Sequence, residues 1–249
     1  MKFFFIYATC LFCLIFAKSI ELHPGFVVEN HKVEKYEQSI DILTISINPS
    51  KYDFEIFNSL DKQASLKDIS LKNNYMLVFN AGMFDVDYKT SMGYMKKNAQ
   101  VLNSRNHPNY ESIIAFNPIV DNVPNIYIYD SDEISLDTII NKYNSIIENL
   151  RLIKRPGINR WPKQNKRWSE IAIGQDINDN IVVIYCSSIL SMFELNEILI
   201  SLPIQLQVAQ HLEGNSLAQL YLNTNQYEIN YDNNLYVPNL LGVRSKSDD

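Results

Sequence analysis

The sequence predicts an α+β protein: one domain with a mixed β-sheet core and a few packed helices. Three observations lead there. Short runs rich in Ile, Val, Tyr and Phe recur along most of the 249 residues, in the alternating or continuously apolar patterns of strands. Only three segments carry helical spacing or helix-start signals. No repeat, low-complexity tract or linker divides the chain, and its 46% hydrophobic residues suffice for one large core.

The chain opens with Lys2 and an apolar run from Phe3 to Ala17, closed by Lys18 and Ser19. A charged start, an apolar stretch and small residues make a secretory signal peptide. The run is shorter than the ~20 residues of a spanning helix, so no membrane span is expected once it is removed; a retained N-terminal anchor is the alternative. Residues 1–18 are therefore read as a leader and 19–249 as the mature domain, exported to a periplasm or the extracellular space. Removing Lys2 and Lys18 from the 22 basic residues leaves 20 against 28 acidic ones, a net charge of −8. That balance, with no basic stripe, excludes nucleic acid as a partner. Cys10 and Cys13 leave with the leader. Cys186 remains alone in an apolar strand, where a thiol packs, and no intramolecular disulfide is left to form.

From Gly25 to Phe57 the pattern is β, with Ile40, Ile42, Ile45 and Ile47 in one run and Tyr52, Phe54 and Ile56 in the next. Pro49 and Ser50 between them suggest a hairpin. Residues 59–72 have helical spacing, and 75–79 read as a short buried strand. Gly93-Tyr94 starts a hairpin with Val101-Leu102, and residues 110–116 and 125–129 form two more strands. Residues 135–150 carry the clearest helical stripe: Ile139, Ile140, Tyr143, Ile146, Ile147 and Leu150, with Ser135 or Asp137 as cap. A strand from Arg151 to Ile153 and a polar loop to Arg167 follow. Residues 168–174 and 181–186 then pair as strands. Ser191 and Glu194 form a capping box opening a helix to Ser201, ended by Pro203.

Two turns stand out. At Asn80-Ala81-Gly82-Met83-Phe84-Asp85 a buried strand ends in an amide that both donates and accepts, and Gly82 permits close backbone approach. At Ala209-Gln210-His211-Leu212-Glu213-Gly214-Asn215-Ser216 a strand ends in a carboxylate, and Gly214, Asn215 and Ser216 turn the chain. Such a bend aims backbone N–H groups at one point, which suits an anion or developing negative charge. A plain turn at Asn80, and a hairpin turn with a solvated Glu213, are the alternatives.

These two turns, together with Gly93, Asn117-Pro118, Arg151, Trp168 leading into Ala172-Ile173-Gly174, the strand 181–186 and the helix 191–202, resemble in order and spacing the phosphodiester glycosidase family. That family includes the domain of the lysosomal uncovering enzyme and many bacterial proteins. The resemblance spans residues 75–225. The family pattern at the two turns looks like Asn-Gly-Gly-Phe-Phe and Leu-Asp-Gly-Gly-Gly-Ser. Here Ala81 replaces a Gly, Glu213 an Asp and Asn215 a Gly; Ser91-Met92 lacks the Pro that often precedes Gly93. Glu170 stands near the position where many relatives carry an Arg.

The resemblance implies an exported bacterial hydrolase that cleaves a sugar-1-phosphodiester, an N-acetylglucosamine-like sugar being favoured. Its partner is then a carbohydrate or sugar-phosphate substrate. Breaking an anomeric C–O bond calls for two carboxylates. Glu213 is the candidate acid/base or nucleophile, Asp85 the second carboxylate and Asp176 the third, with a mere hairpin connection as the other reading of Asp176. Arg151 matches a phosphate in bidentate fashion, or is a helix-end arginine meeting the dipole. Asn80 and the N–H groups around Gly82, Gly214, Asn215 and Ser216 would bind hydroxyls or phosphate oxygens. His211 lies two residues before Glu213, so a regular strand puts both on one face, where it tunes or relays a proton or is simply structural. Trp161 offers a face for a sugar ring, while Trp168 is core. No Cys/His metal spacing occurs, and residues 176–180 lack the Gly and Glu of a Ca²⁺ loop, so neither metal nor cofactor is expected. The departures at Asn215 and Glu170 point to an alternative: a catalytically silent carbohydrate-binding or envelope protein on the same fold. Oligomeric state is left open.

Overall fold

The computed structural model describes residues 15–58, 64–224 and 226–246. Most of the expected leader, and the first turn of the helix expected from residue 59, lie outside the described residues. The N-terminal strands are β1 (Ile15–His23), β2 (Phe26–Lys35), β3 (Gln38–Ile47) and β4 (Tyr52–Asn58), followed by helix α1 (Leu66–Asn73). Next come β5 (Leu77–Asn80), β6 (Met95–Lys97), β7 (Gln100–Asn103), β8 (Ser112–Pro118), β9 (Ile126–Asp130) and helix α2 (Leu136–Ile139). Then follow β10 (Tyr143–Asn149), β11 (Arg151–Lys154), β12 (Ile158–Asn159), β13 (Trp168–Asp176), β14 (Ile181–Leu190) and helix α3 (Met192–Ser201). The chain closes with β15 (Leu206–Gly214), a 3₁₀ turn (Asn215–Leu217), β16 (Leu220–Asn223), β17 (Glu228–Asn230) and β18 (Asn239–Ser245).

Three sheets form. The largest runs β1-β2-β3-β14-β13-β15-β11-β12; the others run β7-β6-β10-β8-β9 and β17-β16-β5-β18-β4. One apolar core fills the space between them, with Val28, Ile45 and Ile173 from the first, Ile114, Phe116 and Ile147 from the second, and Phe54, Phe79 and Leu220 from the third. Each helix covers the outer face of one sheet: α3 the large sheet, α1 the sheet of β5, and α2 the sheet of β8. The α+β expectation therefore holds only coarsely. The protein is predominantly β, and every strand pair among the described residues is antiparallel rather than mixed.

Two expected elements are corrected. Residues 135–150 are not one long helix but the four-residue α2 and the strand β10. Ile147 faces the central core and Ile146 the cluster under α2, so the segment is apolar on both faces and its residues happen also to fall at helical spacing. The β-branched isoleucines that favour a buried strand decide between the two. The β3–β4 hairpin does not form either. The two strands enter different sheets, so Ile45 and Ile47 face Phe54 and Ile56 across the core instead of pairing with them. The expected capping box of Ser191 with Glu194 opens α3, and the structure adds one that sequence reading did not name, Ser65 with Asp68 at the start of α1.

Candidate active site

The strand β15 ends at the junction of the sheets. It belongs to the large sheet, while β16, two residues beyond the 3₁₀ turn, belongs to the sheet of β5. The connection is a crossover between sheets and not a hairpin. Asn80, at the end of β5, fixes it. Its Nδ2 donates to the Leu217 carbonyl at 2.9 Å and its Oδ1 accepts from the Gln219 N–H at 2.8 Å. The two turns singled out by sequence, 137 residues apart, are thus joined by one buried amide. Asn215 adopts φ +56°, the left-handed conformation Asn tolerates, so the turn forms without a glycine at this position. Asn215 and Ser216 are exposed; their N–H groups open the 3₁₀ turn and have no partner within it.

Gly82 has φ +150°, and a Cβ there would lie 3.0 Å from the Asn149 amide. Gly93 is packed against the same strand: its Cβ would lie 2.5 Å from the Glu148 carbonyl and 2.7 Å from the Tyr110 ring. The glycines therefore let both loops close on the end of β10. Glu148 is buried there, and its Oε2 accepts from the backbone N–H groups of Tyr94 (2.9 Å) and His107 (3.0 Å). Burial holds its carboxyl above the ordinary range, against those two donors and the His107 charge. The Tyr110 phenol is pushed up to about 12 by burial and by the charges of Glu148 and Glu213.

Glu213 is half-buried, and its Oε1 accepts from the N–H of Gly214 at 3.0 Å. Burial and the charge of Glu170 raise its pKa; the Gly214 N–H and His211 oppose the shift. The strand is irregular here. Glu213 pairs with Ile171 but His211 with Ala172, so Leu212 is an extra residue. This bulge breaks the simple alternation that would put His211 and Glu213 on one face. His211 is buried and its Nδ1 lies 2.5 Å from Glu170 Oε1; Glu170, also buried, accepts from Trp168 Nε1 at 2.9 Å through its other oxygen. Burial works against a charged His211. The charge and hydrogen bond of Glu170, with the charge of Glu213, outweigh it and raise the imidazole pKa.

Other expected site residues lie elsewhere or are otherwise engaged. Arg151 is buried on β11, and its guanidinium is bound by Asp130, Asp132 and Glu111. It is neither a phosphate clamp nor a helix-end residue, since the helix expected before it is a strand. Asp176 closes the β13–β14 turn, accepting from Asn178 N–H, Asn180 N–H and Asn180 Nδ2. Glu170 pairs with Gly214 and Asp176 with Leu206. The six residue steps from Glu170 to Asp176, at ~3.3 Å each, leave Asp176 about 20 Å from the Glu213 end. Trp161 packs over β11, its indole donating to the Arg151 carbonyl at 2.7 Å, so it is not a free platform for a sugar. Asp85 sits in the 84–91 loop, where its carboxylate accepts from the Val86 N–H; no contact among the described residues joins it to Glu213. No group of three or more His, Cys, Asp or Glu among the described residues has the arrangement of a metal site.

Sequence reasoning missed Glu148, Tyr110 and the pairing of Glu170 with His211. Glu148 was hidden by the mistaken helix. The signal that reveals it is the one that singles out Asn80: a buried apolar strand ending in polar residues, here Glu148-Asn149.

A family model described as phosphodiester glycosidase matches residues 73–244. No curated protein matches the chain in sequence. Among solved structures, a hypothetical protein from Synechocystis is similar with a TM-score of 0.68 at 14% identity, over 92% of this chain and 64% of that one. The catalytic domain of zebrafish N-acetylglucosamine-1-phosphodiester alpha-N-acetylglucosaminidase, auto-inhibited by its pro-peptide, is similar with a TM-score of 0.61 at 11% identity, over 94% of this chain and 83% of that one. At such identities the likeness is one of fold.

Proposed function

Because the chain belongs to the phosphodiester glycosidase family, we propose that it is an exported hydrolase that cleaves the glycosidic bond of a sugar-1-phosphodiester, with an N-acetylglucosamine-like sugar. The observation that carries this reading is Glu213, a half-buried carboxyl with raised pKa, next to the Leu212 bulge at the end of β15, where the chain crosses from one sheet to another. A carboxyl that holds its proton more tightly than an ordinary glutamic acid is suited to general acid catalysis. Glu213 gives its proton to the departing phosphate oxygen as the anomeric C–O bond breaks. Water adds at the anomeric carbon, and its proton restores the carboxyl. Glu148 supplies the second negative charge beside the developing oxocarbenium, the place given on sequence to Asp85. Asn80 is engaged with the backbone at Leu217 and Gln219, so it shapes the turn, while the N–H groups of Asn215 and Ser216 are available to phosphate oxygens.

The test is release of free sugar from a panel of sugar-1-phosphodiesters, beginning with N-acetylglucosamine, by the wild type and Glu213→Gln. Turnover lost in the variant supports the reading. Turnover equal in both removes Glu213 from the mechanism. Sugar binding without turnover on any substrate favours the silent carbohydrate-binding alternative. Export rests on the Lys2 to Ala17 pattern: secreted material with an N-terminus near Ser19 is the expected finding, and intact Met1 in the cytoplasm the contrary one.

A further inference from the structure

The proposed substrate carries a negative charge, and the arginine that sequence assigns to it is bound by three carboxylates. Another basic group lies two residues from Glu213 on β15. His211 is buried and pinned through Nδ1 by Glu170; its Nε2 makes no hydrogen bond among the described residues and, unlike Nδ1 of His31, is not sealed from solvent. Resting on the glycosidase reading above, we propose that Glu170 is a positioning residue: it orients His211 and maintains its positive charge so that Nε2–H donates to the phosphate of the substrate.

His31 serves as the internal control. It is equally buried, but its ring nitrogen partner is the Thr44 hydroxyl at 2.8 Å, with Glu29 no nearer than 3.9 Å. Burial prevails there and the pKa falls below the ordinary value. His211 differs in having a buried carboxylate in direct contact, and its pKa rises. The charged groups acting on His211 are Glu170, from the adjacent β13, and Glu213, from its own strand. From β14, Cys186 pairs in register with Glu170; its buried thiol is pushed up to about 12 and stays neutral. Glu170 also receives the Trp168 indole N–H, so its two oxygens are held in a fixed plane and the imidazole is aimed with them.

The experiment follows the ¹⁵N resonances of the histidine side chains in the mature protein, with inorganic phosphate as probe, and assigns His211 with His211→Gln. In the wild type, phosphate shifts the Nε2 resonance at pH 7.5. In Glu170→Gln, His211 should titrate like His31, below the ordinary histidine value, and the phosphate concentration needed at pH 7.5 should rise tenfold or more. Lowering the pH below the new midpoint should restore the response. His211→Gln should bind phosphate weakly at every pH from 5 to 8, which tests the proposal even if Glu170→Gln folds poorly. Unchanged titration and phosphate response in Glu170→Gln, or unchanged phosphate affinity in His211→Gln, would overturn it. The outcomes separate from those of the glycosidase reading. Loss of turnover in Glu213→Gln with no phosphate effect at His211 removes this proposal alone; a phosphate effect without turnover on any sugar phosphodiester removes the reaction but leaves the anion contact.

Discussion

Two charged clusters border the same stretch of β15. Arg151 pairs in register with Gln210, and the N–H of the next residue, His211, donates to the Leu150 carbonyl. In the Arg151 cluster every cation is matched: Arg151 meets Asp130, Asp132 and Glu111, and Lys154 meets Asp132 and Glu133. In the other, one histidine serves Glu170 by contact and Glu213 by charge alone, leaving His211 Nε2 and a Glu213 oxygen without a protein partner. The first arrangement is complete and therefore holds structure together. Among the described residues the second has open valences beside the end of β15, and open valences at a fixed geometry are what a substrate can use. Residue type alone does not separate them, since an arginine looks the better phosphate ligand until its partners are known.

The contrast yields predictions of decreasing size. Glu213→Gln should lower kcat/KM by about 10²–10⁴-fold, the usual contribution of a general acid, without lowering the melting temperature. The sign follows from the raised pKa: the folded state binds the proton more tightly, so ionisation above the unfolded value near 4.5 weakens folding, and the amide avoids that loss. Arg151→Met should do the reverse. Asp130, only 1% exposed at its side chain, would be left buried without its cation, at about 3–5 kcal/mol of stability. The half-exposed Glu111 and Asp132 would add little. Denaturant unfolding should report the loss, and kcat/KM of the folded fraction should hold. A fall in turnover matching that of Glu213→Gln would end the distinction between the clusters.

Gly82→Ala should cost about 1–3 kcal/mol, because alanine rarely adopts φ +150° and its methyl would crowd the Asn149 amide. Activity should drop as the loop shifts from the end of β10. The pH dependence of stability offers a finer probe. His211 has a raised folded pKa, so its stabilisation is complete below the unfolded value near 6.5 and is lost as pH rises through the folded value. Melting curves of the wild type and His211→Gln should therefore differ most in mildly acidic buffer and converge as the pH is raised. The smallest effect is expected at Asp176→Ala: about 1 kcal/mol for the lost turn hydrogen bonds, with turnover intact, as befits a carboxylate at the far end of β13.

Much of the outline is legible in the sequence because it is written in local patterns. The strands β8, β9, β13 and β14 show as apolar runs between turn residues, and Ser191 with Glu194 three residues later marks the start of α3. Asn80 and Glu213 emerge because each ends a buried strand beside a glycine. The same logic fails on β10, where apolar residues on both faces imitate a helical stripe and hide Glu148. It also fails for Arg151, whose partners lie 19 to 40 residues earlier, at Asp132, Asp130 and Glu111.

The sequence by itself determined where most strands begin and end, the two turns that bound the site and the family to which they belong, since each depends on side-chain periodicity or on a backbone conformation only a few residue types accept. Tertiary structure alone decided that β15 and β16 enter different sheets, that Leu212 is bulged, that Arg151 is neutralised and that Glu170 meets His211. Those outcomes are pairings between residues distant in the chain. Which carboxylate finds which cation depends on sheet order and register, and these follow from the packing of three sheets on one core rather than from any short stretch of sequence.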